Sequence, residues 1–398
     1  MAPSILDDGY PPTTSTSRAA VIPSVNKRRT LTDENNHHQP LLPGLPDHIA
    51  HICISHVPPS ILYSVCHSWR RVIYTSSFPP FLSLYSLSSS HDSTLKLSSF
   101  DPISNEWKAV TLTPPQLRRV SFRHPSFIAR NLPVQSYSLA GNLVLLAGTS
   151  GDLLPAVSHP LVFNPLSNTW ASGPPLTNPR RWCAAGVSRA SVVVASGIGS
   201  HFTQTVSRSV EKWVYPESNL FDKKSEISNG VWKKMKSLSN SKFSMEAIDA
   251  IGCKDKLYMV NGKGAYGKEG VVYDVNSDEW SEMPADILGG WRGPAAAMDE
   301  KIIYIVDESK GVLRKYDDVM KLWVDVLENE MLKGAEHIAA GGGRVCVVRG
   351  GGVGIVVVDV VASPPRLLVV DTPAGEQVLR LHILPRMCSP EVDSQIVV

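Results

Sequence analysis

The chain has 398 residues, a formal net charge of +2 and 19% charged residues. Its length exceeds that of an ordinary single domain, so two domains are expected. The balanced charge gives no strong electrostatic case for binding nucleic acid or a membrane surface. No uninterrupted apolar run approaches the 18 residues that a membrane-spanning helix requires.

The ends of the chain and its cysteines indicate the compartment. The amino-terminal stretch MAPSILDDGYPP has acids and prolines where a secretory signal needs basic and then apolar residues. The six cysteines are scattered without a C-x-x-C pair, which favours reduced core thiols over a disulfide framework. A cytoplasmic or nuclear protein is expected. Residues 1–40 are rich in Pro, Ser, Thr and Asn and predict a disordered tail.

Residues 41–78 predict a helical module of two short helices. Pro46 and Asp47 suit the first turn of a helix, and Pro58-Pro59 ends that helix. Apolar residues recur at helical spacing in both halves, at Ile49, Ile52, Cys53 and Val57, and then at Ile61, Leu62, Val65, Cys66, Trp69, Val72 and Ile73. Helices this short depend on packing. The pattern leaves open whether they cap the next domain or dock onto another protein.

The rest of the chain carries a repeat. An aromatic residue is followed seven positions later by tryptophan four times, at Phe100/Trp107, Phe163/Trp170, Tyr273/Trp280 and Tyr316/Trp323. A polar turn such as DPISNE lies between the two aromatics, which predicts a strand–turn–strand hairpin. A stretched copy runs from Trp213 to Trp232, and a sixth unit after His337 has lost its tryptophan. We expect the tryptophans to pack between units as core.

About six units of four short strands predict a mainly β fold, a six-bladed β-propeller over residues 80–385. The first unit has three candidate outer strands, Phe81–Leu87, Leu95–Phe100 and Trp107–Leu112, but no inner strand precedes them. Val378 to Leu384, near the other end of the chain, alternates in strand fashion. We expect it to complete the first blade and remove the open sheet edge, leaving 386–398 as a tail.

The helical module resembles the F-box. The resemblance rests on Leu45-Pro46-Asp47, Val57-Pro58-Pro59, Val65-Cys66, Trp69-Arg70 and Val72-Ile73, in that order. F-boxes pack onto the adaptor SKP1, which joins them to a cullin-based ubiquitin ligase. The resemblance therefore implies a SKP1-binding face formed by Leu45, Pro46, Ile49, Ile52, Val57, Pro58, Leu62 and Trp69.

The repeats resemble kelch units, and an F-box followed by kelch repeats is similar to plant SKP1-interacting F-box/kelch proteins. Pro179-Arg180-Arg181-Trp182 resembles the kelch segment whose arginine contacts the bound partner in several propellers. The loops between blades lead into the central channel and favour a client-binding rim at Arg119, Arg181, Trp182, Phe243, Trp291, Arg292 and His337. Ordinary strand starts are the alternative interpretation of these residues.

Motifs for chemistry are absent from the sequence. It has no phosphate-loop lysine motif and no G-x-S-x-G elbow, and the glycines at 341–343 and 350–354 predict hairpin turns. His48, His51 and His56 miss the spacing of helical metal sites. We therefore expect no cofactor and no catalysis. The resemblance implies the substrate-recognition subunit of a SKP1–cullin–F-box ligase with an unknown protein client, and a propeller scaffold outside any ligase is the alternative.

Overall fold

A computed structural model of the chain describes residues 40–75, 78–79, 81–89, 94–110, 135–148, 156–199, 206–215, 230–239, 243, 248–261 and 268–386. The candidate Arg119 lies outside these residues, as do the two predicted tails apart from Pro40 and Arg386.

The described part of the helical module contains three helices where the sequence predicted two. They are α1 (Asp47–Ser55), α2 (Pro59–Val65) and α3 (His67–Ile73). The second predicted helix is broken at Cys66, whose backbone is extended (φ −158°, ψ 168°) and whose Sγ accepts the Trp69 N–H at 3.5 Å. Cys66 is thus the N-cap of α3, and a cap residue lies outside helical φ/ψ by definition.

The propeller consists of six four-stranded antiparallel sheets formed by the described residues. From the channel outward, blade I consists of β26 (Gln377–Pro385), β1 (Leu82–Ser89), β2 (Leu95–Asp101) and β3 (Glu106–Val110), and blade II of β4 (Gln135–Leu139), β5 (Asn142–Leu146), β6 (Leu161–Asn164) and β7 (Thr169–Ser172). In the same order, blade III consists of β9 (Ala184–Ser188), β10 (Ser191–Ala195), β12 (Val210–Val214) and β13 (Trp232–Met235), and blade IV of β14 (Ile248–Cys253), β15 (Lys256–Asn261), β16 (Glu269–Asp274) and β17 (Glu279–Glu282). Blade V consists of β18 (Ala295–Met298), β19 (Ile302–Asp307), β20 (Val312–Asp317) and β21 (Leu322–Glu328), and blade VI of β22 (His337–Gly341), β23 (Arg344–Val348), β24 (Ile355–Asp359) and β25 (Arg366–Val370).

Two smaller elements lie between blades. A two-stranded sheet pairs β8 (Arg180–Arg181) with β11 (Ile198–Gly199), and the short helix α4 (Ala285–Gly290) connects blade IV to blade V. Gly341 ends β22, and the other glycines at 342–343 and 350–354 fall in the two successive hairpin connections of blade VI, as the sequence predicted.

The closure predicted from the sequence is confirmed. β26 pairs antiparallel with β1, with Leu82 opposite Pro385 and Ser86 opposite Leu381. The last described strand therefore supplies the inner strand of the first blade, and the ring of sheets has no open edge at this seam.

The repeated aromatics form one cross-strand pair per blade in blades I to V. Phe100 lies directly opposite Trp107, and the four equivalent pairs are Phe163/Trp170, Trp213/Trp232, Tyr273/Trp280 and Tyr316/Trp323. Their ring centroids are 4.9 to 5.8 Å apart, within the range of favourable aromatic contacts. In blade VI the equivalent pair is Val358 and Leu367.

Four of the tryptophans also tie neighbouring blades together. The indole N–H groups of Trp107, Trp232 and Trp280 donate to Asp371, Pro174 and Lys236, at 2.7 to 2.9 Å. Trp323 donates likewise to Asp286 at 3.1 Å. Every acceptor is a carbonyl in the segment that follows the outer strand of the preceding blade. The expected core packing holds fully for Trp213 and Trp232, which are buried, whereas Trp107, Trp170, Trp280 and Trp323 are partly buried and pack against the core clusters.

The propeller has two rims that differ in their connections. The upper rim carries the loops that lead from each outer strand into the next inner strand. The lower rim carries the tight turns, in which Asp101, Asn164, Asp274, Asp317 and Asp359 accept backbone N–H groups two or three residues ahead. The helical module packs on the lower rim of blade I, where Ile103 joins its core and Arg386 donates its backbone N–H to Phe81 at 2.7 Å.

Candidate functional site: a docking face and a channel mouth

The helical module closes a core of its own and still exposes apolar side chains. Ile54, Leu62, Val72, Ile73 and Phe78 form the buried core. A second set lies outside it with 38–59% of each side chain exposed: Leu45, Ile49, Ile52, Ile61 and Val65. We call this set the docking face. Its members on α1 and α2 are three or four residues apart, so those on each helix share one side.

The predicted SKP1-binding residues divide into three groups. Leu45, Pro46, Ile49, Ile52 and Pro58 are exposed. Val57 and Trp69 are partly buried, and the Trp69 indole donates to the Leu41 carbonyl at 2.8 Å. Leu62 is fully buried and is unavailable to a partner in this conformation.

Two docking-face residues, Ile61 and Val65, were not among the predicted contacts. The sequence prediction treated α2 and α3 as one wide stripe and did not separate the two sides of α2. Ile61 and Val65 are four residues apart and therefore share one side of a helix, and Leu62 lies one residue further along. This spacing could have indicated that Ile61 and Val65 face away from the core side of α2. The expectation of core thiols is wrong for Cys53 and Cys66, which are exposed, and Ala50 and Ile54 are the α1 residues that face the core.

A central channel of about 990 Å³ runs through the propeller, and all six inner strands contribute to its wall. Arg292 is exposed and His337 is partly buried, and both line this channel on its upper side. The His337 Nδ1 accepts the Leu381 N–H at 3.2 Å, which orients the ring. Of the predicted client-binding residues, these two remain the candidates for contact with a client.

Four other predicted client-binding residues are buried and belong to the packing between blades. Arg181 and Trp182 lie in and beside the β8–β11 sheet, with the Trp182 ring against Ile198 and the Arg181 guanidinium 5.9 Å from that ring. Phe243 packs in the core between blades III and IV. Trp291 packs between blades IV and V, although it also borders the channel. Loops were expected at these positions, but close inter-blade packing covers them.

Arg180 belongs to the kelch-like segment Pro179–Trp182 but was not among the predicted client-binding residues, and its contacts are structural. Its guanidinium forms a buried ion pair with Glu211 and donates to the carbonyls of Asn178, Ser196 and Ser209 at 3.0 to 3.2 Å. Burial lowers the pKa of Arg180, while Glu211 acts in the opposite direction. The segment that resembles a partner-contacting kelch arginine is thus held inside blade III.

The channel mouth carries charges of both signs. Lys268 donates to the Trp291 carbonyl, and its pKa is lowered by burial and by nearby Arg292. Glu308 and Glu336 also border the channel, and Glu336 accepts the Gly351 N–H at 2.8 Å. The mouth therefore offers mixed charges to a partner.

Within the described residues, the search for chemistry gives two results. No group of three or more His, Cys, Asp or Glu side chains is arranged to hold a metal ion. Cys183, Cys253 and Cys346 are buried free thiols, and burial raises their pKa values to about 11, 11 and 12. Protonated thiols of this kind are poor nucleophiles. None of the helices in the described part of the chain has the length and apolar character that spanning a membrane requires.

The fold and these surfaces define a class of protein: a β-propeller that carries a helical docking module on its lower rim. No protein-family model matches the chain. It is 46% identical to the F-box/kelch-repeat protein SKIP25 of Arabidopsis thaliana over 94% of this chain and 96% of that protein. The F-box protein AFR and the F-box/kelch-repeat protein SKIP4 of the same plant are 23% and 21% identical, over 67% and 80% of this chain and 68% and 85% of their own lengths. The chain belongs to the F-box/kelch-repeat family.

Proposed function

We propose that the chain is the substrate-recognition subunit of an SCF-type ubiquitin ligase. The observation that carries the proposal is the docking face. A helical module that has already buried its own core leaves five large aliphatic side chains 38–59% exposed. Exposed apolar clusters of this kind mark protein interaction sites. In an F-box, the partner of that face is a SKP1-like adaptor and, through it, a cullin.

The position of the module supports adaptor binding at the lower rim and client binding at the upper rim. The module lies on the lower rim of blade I, and the loops between blades open on the upper rim with Arg292 and His337. An adaptor on the docking face would therefore leave the upper rim free for a client. The contribution of the chain is positional, because it raises the effective concentration of a client lysine near the transferring enzyme. We place this activity in the cytosol or nucleus.

Binding to a recombinant SKP1-like adaptor tests the proposal. Ile52→Glu and Ile61→Glu each put a charge into the docking face and keep a helix-forming residue, so we expect at least a tenfold loss of affinity with the melting temperature unchanged. Val319→Glu is the matched control, because Val319 is 91% exposed on a lower-rim turn of blade V. Failure of the wild-type chain to bind the adaptor would favour the alternative, a propeller scaffold outside any ligase.

The client half of the proposal needs its own measurement. Proximity labelling under proteasome inhibition gives the proteins held near the propeller. We expect Arg292→Glu to remove clients from that set, and Arg366→Glu, on the exposed outer strand of blade VI, to retain them. An unchanged set in the Arg292 variant would exclude this part of the rim.

A further inference from the structure

The wall of the central channel contains an arginine at the seam where the propeller closes. Arg380 lies on β26, and it follows a bulge in the β1–β26 pairing at which Leu379 is the extra residue. Beyond the bulge, alternate residues Arg380, His382 and Leu384 share the side of β26 that faces blade II. A bulge of this kind re-aims the side chains that follow it.

Arg380 has no counter-ion within the part of the chain that the structure describes. Arg180, Arg189, Arg314 and Arg344 of the propeller each meet a carboxylate within 4 Å. Several carboxylates border the same channel, namely Asp249, Glu300, Glu308 and Glu336. Burial lowers the pKa of Arg380, and Tyr137 of β4 is the group that opposes this effect. The Arg380 side chain is partly exposed to the channel, so its guanidinium is open to an anion, with which it can form charge-assisted hydrogen bonds.

The surroundings of Arg380 are polar on the blade II side, whereas the wall across the channel combines small residues with the carboxylates of Asp249, Glu300 and Glu308. On the blade II side, His382 Nε2 and Ser136 Oγ are 2.9 Å apart, and the Tyr137 hydroxyl donates to Gln135 Oε1 at 2.9 Å. The inner strands of blades IV and V, across the channel, contribute Ala250, Gly252 and the run Ala295–Ala297. Small side chains leave room there for an apolar body.

We propose that the channel binds a small organic acid, with its carboxylate paired to Arg380 and its apolar body against the wall of small residues. The channel volume of about 990 Å³ falls within the size range of small-molecule sites. A carboxylate can also come from an acidic side chain of a bound polypeptide. That source is disfavoured, because Arg380 lies about 10 Å below the upper end of β26 at roughly 3.3 Å per residue. The proposal is independent of the adaptor role, since no residue of the helical module takes part.

Fluorine NMR on the purified full-length chain tests the proposal with 4-fluorobenzoate as the probe and neutral 4-fluorobenzamide as its matched control. We expect saturable binding of the acid only, at least tenfold weaker in Arg380→Gln and unchanged in Arg366→Gln. Absence of saturable 4-fluorobenzoate binding by the wild-type chain overturns the proposal. Equal binding by Arg380→Gln overturns it as well, because the channel arginine is then only solvated by water.

A stability measurement separates a binding role from a structural one. Arg380→Gln removes an unpaired charge, so we expect its melting temperature to equal or exceed that of the wild type; a fall of several degrees contradicts an unpaired arginine. If that variant does not fold, the wild-type chain still gives a result: 4-fluorobenzoate raises its melting temperature and 4-fluorobenzamide does not. The absence of this difference overturns the proposal.

Mass spectrometry of the chain isolated from plant tissue distinguishes the two sources of the carboxylate. Release of a small acid from the wild-type chain but not from Arg380→Gln supports a free ligand. If no acid is released and 4-fluorobenzoate instead displaces a bound polypeptide, the assignment to a free molecule is overturned in favour of a client side chain.

Discussion

The Tyr74 hydroxyl donates a hydrogen bond to the Asp101 carboxylate at 2.6 Å, and this bond joins the helical module to the propeller. Tyr74 is the residue that ends α3, and Asp101 begins the lower-rim turn of blade I. The Arg386 guanidinium lies 5.2 Å from the centre of the Tyr74 ring, directly after the closing strand β26. Module, first blade and closing strand thus meet at one point, which fixes the direction of the docking face relative to the channel.

Tyr74→Phe should weaken this junction and leave the propeller closed. Removal of a partly buried hydrogen bond to a charged acceptor costs about 1.5–3 kcal/mol of unfolding free energy. Chemical denaturation measures this loss. Tyr63→Phe is the control, because no hydrogen bond of the Tyr63 hydroxyl is present among the described residues and its ring contact with Arg70 is kept. Equal stability of the two variants would show that the Tyr74 bond contributes nothing.

Truncation tests the closure of the ring. A chain that ends at Glu376 lacks β26, which exposes one edge of β1 and removes the inner wall of blade I. We expect that chain to lose its cooperative thermal transition. A chain that ends at Arg386 keeps β26 and the junction, so it should melt as the full-length protein does. Cooperative melting of the shorter chain would show that five complete blades and a three-stranded first blade suffice.

The aromatic pairs should differ in strength according to their burial. Trp232 is buried and donates to Pro174, so Trp232→Ala should cost about 3–5 kcal/mol. Trp280 makes the equivalent bond to Lys236 but is half-buried, and its alanine variant should cost less, roughly 1–3 kcal/mol. Equilibrium unfolding of the two variants gives the order. The reverse order would contradict a role for burial.

The sequence predicted the parts of the fold that repeat. The spacing from Phe100 to Trp107 occurs four times because one hairpin geometry recurs, and β26 was recognisable because blade I lacked an inner strand. The break at Cys66 could not be predicted, since a single capping cysteine leaves the apolar pattern of α2 and α3 uninterrupted. The burial of Arg181 and Trp182 was also inaccessible, because it depends on β8 pairing with β11, a contact between blade loops that periodicity does not report.

In the channel, too, the sequence predicted the residues that the repeat locates and missed the one that depends on strand pairing. His337 and Arg292 were found because they lie at the starts of blades, which the repeat locates. Arg380 was missed because VLRLHIL gives no sign of which side of the strand meets the channel. That depends on the bulge at Leu379, which appears only when β26 pairs with β1.

Arg180 and Glu211 should stabilise the folded propeller as a coupled pair. Arg180→Met leaves the Glu211 carboxylate buried without its cation, which typically costs about 3–5 kcal/mol. The double variant Arg180→Met/Glu211→Met removes both charges and should recover part of that loss. Recovery should be incomplete, because Glu211 also accepts the Thr177 N–H at 2.9 Å. Thermal unfolding of the wild type, Arg180→Met, Glu211→Met and the double variant forms the cycle, and additive losses would show that the pair is not coupled.

His382 should make the propeller sensitive to acid. Burial, and then the charge of Arg380, lower the His382 pKa from 6.5 to about 3. The unfolded chain therefore binds a proton at this histidine near pH 6.5, whereas the folded chain does not. The contribution of neutral His382 to the unfolding free energy is complete above pH 6.5 and is lost as the pH falls towards 3. Between pH 7 and pH 4.5, on the order of 2 kcal/mol of unfolding free energy should disappear through this residue. His382→Gln can still hydrogen-bond to Ser136 but does not titrate, so its unfolding free energy should fall less over that range. Parallel pH profiles for the two proteins, measured by urea denaturation, would mean that His382 is protonated in the folded chain as readily as in the unfolded one.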